Sequence, residues 1–388
     1  MTTKNFNYII IGSGLAGLTI AERITSILKA PVLIIERRPH IGGNVYDSYN
    51  DDGILINNYG PHTFHTNDKE VFDYIRQFTP WNDYQHRVLS YVDGNFVPMP
   101  IGLETINALY NLNLSEGEFE EFIASRKEKI ENIQTSEDVV LANAGRDIYE
   151  KFFKYFTIKQ WGVSPAELDK SVISRIPFRT NRDTRYFTDK YQGNPKGGYT
   201  KMCERMINNP LIHVLLNTDY KEVLPIFTGE KTEHGYERLG IEDGVKKIIY
   251  TGPLDYYFDN CYGELLYRSI RFEFETLDME SFQPTASSRY PQDYDYTRIT
   301  EFKKMTGQVS SKTTICKEYP CFGGEPYYPY PTAEWKEKAE RYRELSQKEQ
   351  DVIFLGRLAE YKYYDMDDVI RRALDVFEGE IKPVHKDA

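Results

Sequence analysis

Three glycines and one acid carry the first chemistry in this chain. Gly12, Gly14 and Gly17 stand in GSGLAG, directly after the apolar run Tyr8–Ile11. Glu36 closes a second apolar run, Val32–Ile35, 19 residues beyond Gly17. Gly12 permits a tight turn, Gly14 lets the backbone approach a pyrophosphate, and Gly17 lets helix and strand pack closely. The helix between the two strands turns unpaired N–H groups and a partial positive charge toward the phosphates. A carboxylate at the end of the second strand accepts hydrogen bonds from a ribose. Strand, glycines, helix, strand and acid together predict a dinucleotide site. The bland alternative is a glycine-rich turn without a ligand.

The residues after Glu36 choose the dinucleotide. Arg37, Arg38, Gly42, Gly43 and Asn44 run straight on from the acid. In this the chain resembles the flavin-dependent amine oxidase-like group, whose acid is followed by a basic residue and a GG loop reaching the flavin side of FAD. That resemblance favours FAD over NAD.

These residues need elements to hold them. The chain has 388 residues, enough for two or three domains and a large core. Its formal net charge of −11 makes it a poor general binder of nucleic acid or anionic membrane, so an anionic ligand would need a few local arginines. No run is long enough to span a membrane, and the N-terminus reads as a first strand rather than a signal peptide. Cys203, Cys261, Cys316 and Cys321 show no metal-ligand spacing and read as free thiols of a cytoplasmic protein. The 31 tyrosines and 21 phenylalanines suit sugars and bases, and equally an aromatic core.

In chain order, Asp68 starts a helix ended by Pro80, and Val88 to Pro98 is a hairpin around Asp93-Gly94. Residues 102–156 read as helices, one opened by a Ser115/Glu118 capping box. Thr157 to Gly162, TIKQWG, falls on a helix end and its loop, with Phe153 and Thr157 on one face if the helix persists that far. Tyr199 to Ile207 is a helix, and Ile212 to Leu216, Tyr220 to Val223 and Lys246 to Tyr250 are strands. Leu265 to Phe274 alternates as a half-buried antiparallel strand, with further strands at Thr297 to Lys303 and Thr313 to Glu318. GGEPYYPYP from Gly323 is a proline-stiffened loop. Val352 to Leu355 is the last buried strand, and Asp367 to Phe377 the last helix, capped near Asp365. The expected fold is α/β: a discontinuous Rossmann-like FAD-binding domain (1–79, 193–252 and 351–388), a mainly helical domain (80–165) and an antiparallel sheet domain (166–192 and 253–350).

Nine collinear segments then identify a family. GPHTFHT (60–66), TIKQWG (157–162), RIPFRTNRDTRYF (175–187), GGYTKM (197–202), YTGPLDYYFD (250–259), LLYRSIRFE (265–273), YTRITEFKK (296–304), PYYPYP (326–331) and GRLAEYKYYDMDDVI (356–370) resemble the bacterial UDP-galactopyranose mutases. The resemblance implies noncovalent FAD, active when reduced, and interconversion of UDP-galactopyranose and UDP-galactofuranose by ring contraction, through an adduct between flavin N5 and the sugar. It implies that Phe152, Phe153, Thr157 and Trp161 form the uridine site, although such aromatics also serve as core. Arg175 and Arg298 resemble the pair that grips the diphosphate, as permanently charged bidentate donors can. Tyr186, Tyr328 and Tyr363 resemble phosphate contacts, with Tyr327 or Tyr330 as alternatives to Tyr328. His62 resembles the histidine beside the flavin ring. Arg357, Asp365 and Met366 fall in the segment that runs along the flavin, where the last helix would aim partial positive charge at the ring. Phe156 replaces a tyrosine common in relatives, and Lys304 follows Lys303 where relatives often carry Lys-His.

The sequence shows no protein nucleophile, triad or metal cluster, which suits an isomerase whose cofactor carries the covalent step. The alternatives are a flavin oxidase or dehydrogenase of the amine-oxidase type, and a non-catalytic binder of FAD and a UDP-sugar. The resemblance further implies an electron donor of unstated identity, a homodimer, and a role in galactofuranose supply for cell-surface polysaccharide.

Overall fold

A computed structural model describes residues 6–174, 178–223, 231–232, 235–236 and 245–386. Its first half is built on a parallel five-stranded sheet. The strands are β1 (Tyr8–Ile11), β2 (Val32–Ile35), β5 (Ile212–Leu215), β6 (Lys247–Tyr250) and β12 (Val352–Phe354), in the order β12-β6-β1-β2-β5. β1 and β2 are buried throughout, as continuous apolar strands must be when helices cover both faces. Ile10 and Ile34 pack with Leu18 of helix α1 (Leu15–Arg23) and with Ile370 and Ala373 of helix α5 (Met366–Val376). Ile9, Leu33 and Ile35 face the other way, onto Tyr220 and Tyr250.

The second half is a seven-stranded sheet in the order β11-β7-β10-β9-β8-β3-β4. The strands are β3 (Val88–Val92), β4 (Asn95–Met99), β7 (Tyr267–Leu277), β8 (Ser287–Arg289), β9 (Arg298–Glu301), β10 (Thr313–Cys321) and β11 (Tyr328–Pro329). All pairings are antiparallel except β8 with β3. The hairpin at 88–99 therefore hydrogen-bonds into this sheet while it packs on the helices that follow it in sequence. Its inward residues Val88, Val92 and Val97 share a core with those helices, through Leu103, Phe119, Val140 and Phe152.

Two local readings change. Tyr220–Val223, expected as a strand, is a helical turn. Asp219 decides it: its carboxylate accepts from the Lys221 N–H at 2.9 Å, its carbonyl accepts from the Glu222 N–H at 3.0 Å, and the Tyr220 ring turns onto Tyr250. TIKQWG is helix up to Trp161 rather than a helix end and a loop. Helix α3 (Tyr155–Trp161) continues from a π-type turn at Tyr149–Lys154 and ends at Gly162, whose φ of 76° closes the last turn. The other helices used below are α2 (Lys69–Arg76), capped by Asp68, and α4 (Tyr199–Met206).

Candidate active site

The glycine loop forms a cradle. Gly12 has φ 99°, and a Cβ there would stand 2.1 Å from Thr251 Oγ1; at Gly17 it would stand 2.2 Å from the Gly12 carbonyl oxygen. At Gly14 it would meet nothing within 4 Å, because this bare Cα faces the open cleft. Gly43, from the loop after β2, packs against Gly14, and the Gly42 N–H donates to the Ser13 carbonyl at 2.8 Å. The buried Glu36 carboxylate is fixed from three sides. Its Oε2 accepts from the N–H and hydroxyl of Ser13, and its Oε1 from the Arg38 N–H, each at 2.8 Å. The acid is thus fixed at the cleft wall, with remaining lone pairs for a ribose. Open space lies over Gly14 and the first residues of α1.

From this cradle the cleft runs to His62, Arg357, Asp365 and Met366. His62 Nδ1 lies 2.8 Å from the Gly60 carbonyl, so Nδ1 carries the proton. Burial, with Arg357 nearby, pushes its pKa down to about 4. Arg357 Nε donates to the Tyr364 carbonyl at 3.1 Å and Nη1 to the Tyr327 carbonyl at 3.2 Å. Its guanidinium also lies 5.2 Å from the Tyr328 ring centre and 5.4 Å from that of Tyr363. Asp365 precedes α5, and the Asp368 carboxylate accepts from its N–H at 3.1 Å. The start of α5 therefore faces the cleft. Arg37 is largely exposed and Arg38 largely covered; both approach Glu325, Arg38 at 2.8 Å, and Arg38 also donates to Asn44 at 3.0 Å.

Arg298 on β9 lies opposite Glu318 on β10, 3.6 Å away. Tyr186, Tyr328 and Tyr363 are close enough to act on its charge. Tyr328 and Tyr363 stack at 5.8 Å with 13° between planes. Of the three candidate tyrosines in PYYPYP, Tyr328 is the one that stands with Arg298. Tyr327 is buried against Phe272, and the buried Tyr330 donates its hydroxyl to the Trp161 carbonyl at 2.7 Å.

None of the four uridine candidates lines the cleft: Thr157 is buried, and Trp161 packs with Leu168 and Tyr330. Thr157 and Trp161, four apart, share a face of α3. Phe152 and Phe153 do not join the cleft in this structure: they are buried in the helical core with Val88, Val140 and Phe178. Arg175 lies outside the described residues.

Sequence reasoning missed the groups that brace these side chains. Arg268 donates to the Gln160 carbonyl at 2.6 Å and the Lys159 carbonyl at 2.8 Å, and stacks on Phe322. With Tyr330, it takes the last three carbonyls of α3. Lys159 Nζ donates to the carbonyls of Tyr290, Tyr294 and Tyr296 at 2.5, 2.8 and 3.3 Å. Glu318 was missed as well: burial pushes its carboxyl up, while Arg298 and Arg289 pull it down. Among the described residues, no cluster of three His, Cys, Asp or Glu could hold a metal, and no helix is long and apolar enough to cross a membrane.

Comparison with known proteins agrees with this layout. A family model for an NAD(P)-binding Rossmann-like domain matches residues 10–78, and the UDP-galactopyranose mutase model matches residues 151–363. A probable UDP-galactopyranose mutase of Klebsiella pneumoniae is 37% identical, covering 96% of this chain and 94% of its own. A dTDP-fucopyranose mutase of Escherichia coli is 33% identical, covering 96% and 98%. The crystal structure of a reduced UDP-galactopyranose mutase superposes with a TM-score of 0.71 at 15% identity, over 98% of this chain and 94% of that one. Matched over more than half its length by the family model and along nearly all of it by the Klebsiella relative, the chain belongs to the UDP-galactopyranose mutase family.

Proposed function

We propose that this protein is an isomerase that binds FAD and interconverts UDP-galactopyranose and UDP-galactofuranose. The observation that supports it best is the convergence of two half-sites on Arg357. One is a dinucleotide cradle ending at His62 and α5. The other is a cluster of phenols around Arg298. A guanidinium tied to Tyr364 on one side and Tyr327 on the other joins them.

In this reading Gly12, Gly14 and Gly17 admit the pyrophosphate of FAD, Glu36 accepts from its ribose, and Arg37, Gly43 and Asn44 flank it. Reduced FAD supplies an electron-rich N5 for the anomeric carbon of the sugar. The N-terminal end of α5, which begins at Asp365 and Met366, turns its backbone N–H groups toward the flavin ring. His62, neutral at physiological pH, packs there without adding charge. Arg298, with Arg175 from outside the described residues, holds the diphosphate while UDP departs and returns. Tyr186, Tyr328 and Tyr363 donate to phosphate oxygens. Thr157 and Trp161 orient the uridine, with Phe152 and Phe153 supporting them from the core. The reading includes a separate electron donor, a homodimer and a cytoplasmic location.

The Escherichia coli relative supplies a second reading, a dTDP-linked fucose as substrate. Anaerobic incubation with UDP-galactofuranose or dTDP-fucofuranose, with and without dithionite, tests both. UDP-galactopyranose formed only in the reduced sample is expected. Conversion of the dTDP-sugar alone would replace the substrate. No conversion of either by reduced, flavin-loaded protein would overturn the isomerase reading.

A further inference from the structure

Arg298 has a neighbour of the same charge. Arg289 on β8 is in register with Arg298 on β9, which is in register with Glu318 on β10. Partners in register project to one face of a sheet, with Cα atoms ~4.5–5.5 Å apart. The sheet therefore carries a row of guanidinium, guanidinium and carboxylate. Like charges directly opposite one another destabilise a strand pair. The row holds two positive charges to one negative, and the negative one is the buried member.

The Arg289 guanidinium also has a defined orientation. It lies 4.5 Å from the ring centre of Phe156 on α3 and 5.6 Å from that of Tyr186. Rings against its flat face leave the N–H edge as its hydrogen-bonding surface. Phe156 has no hydroxyl to compete for that edge. The same helix presents Thr157 and Trp161, so the guanidinium sits where the nucleoside half of the site meets the Arg298 half. Its field and that of Arg298 both reach His86, whose pKa burial and these charges lower to about 3.

We propose that Arg289 is a further substrate-binding residue: stacked on Phe156 and in register with Arg298, it grips the diphosphate of the nucleotide-sugar. This rests on the nucleotide-sugar reading above. A diphosphate supplies the negative charge that the row lacks, on oxygens that a planar donor edge engages in pairs.

The test is calorimetric titration of the flavin-loaded protein with UDP and with uridine, in wild type and in Arg289→Met, which keeps an apolar stem and removes the charge. UDP affinity is expected to fall at least ~10-fold, the scale of one charge-assisted hydrogen bond, and uridine affinity less than ~2-fold, so that the UDP-to-uridine ratio collapses. Should Arg289→Met not load flavin, Arg289→Gln is read by the same ratio. Unchanged UDP affinity in a flavin-loaded variant overturns the proposal, and so does an equal loss for UDP and uridine, which would place Arg289 on the nucleoside. Failure of the wild type to bind either UDP or dTDP overturns the nucleotide-sugar reading itself.

Discussion

Glu318→Gln should make this protein less stable and its grip on UDP tighter. The Glu318 side chain is 6% exposed and lies 3.6 Å from Arg298, whose side chain is 32% exposed. Removing one partner of a fully buried pair costs ~3–5 kcal/mol, and an exposed pair is worth ~0–1 kcal/mol. With one partner a third open to water, a loss of ~2 kcal/mol in unfolding free energy is expected at low salt, shrinking as salt rises. Affinity moves the other way, because glutamine removes from the row the charge that offsets Arg298. At an effective dielectric of ~20, one charge ~7 Å from a phosphate is worth ~2 kcal/mol of repulsion. Its removal, after screening, should tighten UDP binding by roughly 10-fold. Urea titration followed by flavin fluorescence gives the first quantity, and calorimetry with UDP the second. A variant as stable as wild type, or one that binds UDP more weakly, would refute the idea that Glu318 stands in for the substrate's charge.

Other substitutions separate folding from binding. Gly12→Ala puts a methyl 2.1 Å from Thr251 Oγ1 at a φ of 99°, so it should cost ~2 kcal/mol or more and abolish flavin loading. Gly14→Ala meets open space at φ −73°; its denaturation midpoint should match wild type while FAD affinity drops ~10-fold, read as flavin retained after desalting. Lys159→Met strips three carbonyls of their donor, with ~2 kcal/mol lost and a raised KM at nearly constant kcat; Lys159→Arg should recover part of both. His62 and His86 have pKa values lowered by burial to about 4 and about 3. As pH falls below ~6.5 the unfolded chain binds protons that the native state refuses, so stability should decline from pH 7 toward 4. A urea midpoint that is flat between pH 7 and pH 5 would contradict it.

What the sequence reveals here is what lies close together in it. Gly12 to Glu36 reads as a nucleotide cradle because every group in that argument falls within one strand-helix-strand unit. Asp365 reads as the lead into α5 for the same reason. Tyr220–Val223 misreads because apolar residues three apart suit a strand end as well as a helical turn, and only the Asp219 cap decides. The 88–99 hairpin is recognisable as a hairpin, but its partner, β8, lies nearly 190 residues further on. Three tyrosines in PYYPYP look alike until one hydroxyl is found on Trp161, one ring against Phe272, and one beside Tyr363 and Arg357. Arg289 and Glu318 each look like ordinary strand charges, since register between distant strands leaves no local mark.

The charges of this protein act at two ranges. A chain of net charge −11 opposes a dianionic ligand at a distance, yet at physiological salt that opposition fades beyond ~8 Å. Close to the sheet the balance reverses, because Arg289 and Arg298 face one buried carboxylate. Three carboxylates in place of one would quench the row and leave nothing for a phosphate to gain. With none, the empty site would hold two unbalanced guanidiniums, at a cost to the fold and with a product that leaves slowly. One carboxylate beneath two guanidiniums keeps a single net positive charge on the row, enough to favour the diphosphate and weak enough to let it go. Rising salt should therefore weaken UDP binding more steeply in wild type than in Arg289→Met, and Glu318→Gln should show the steepest dependence of the three.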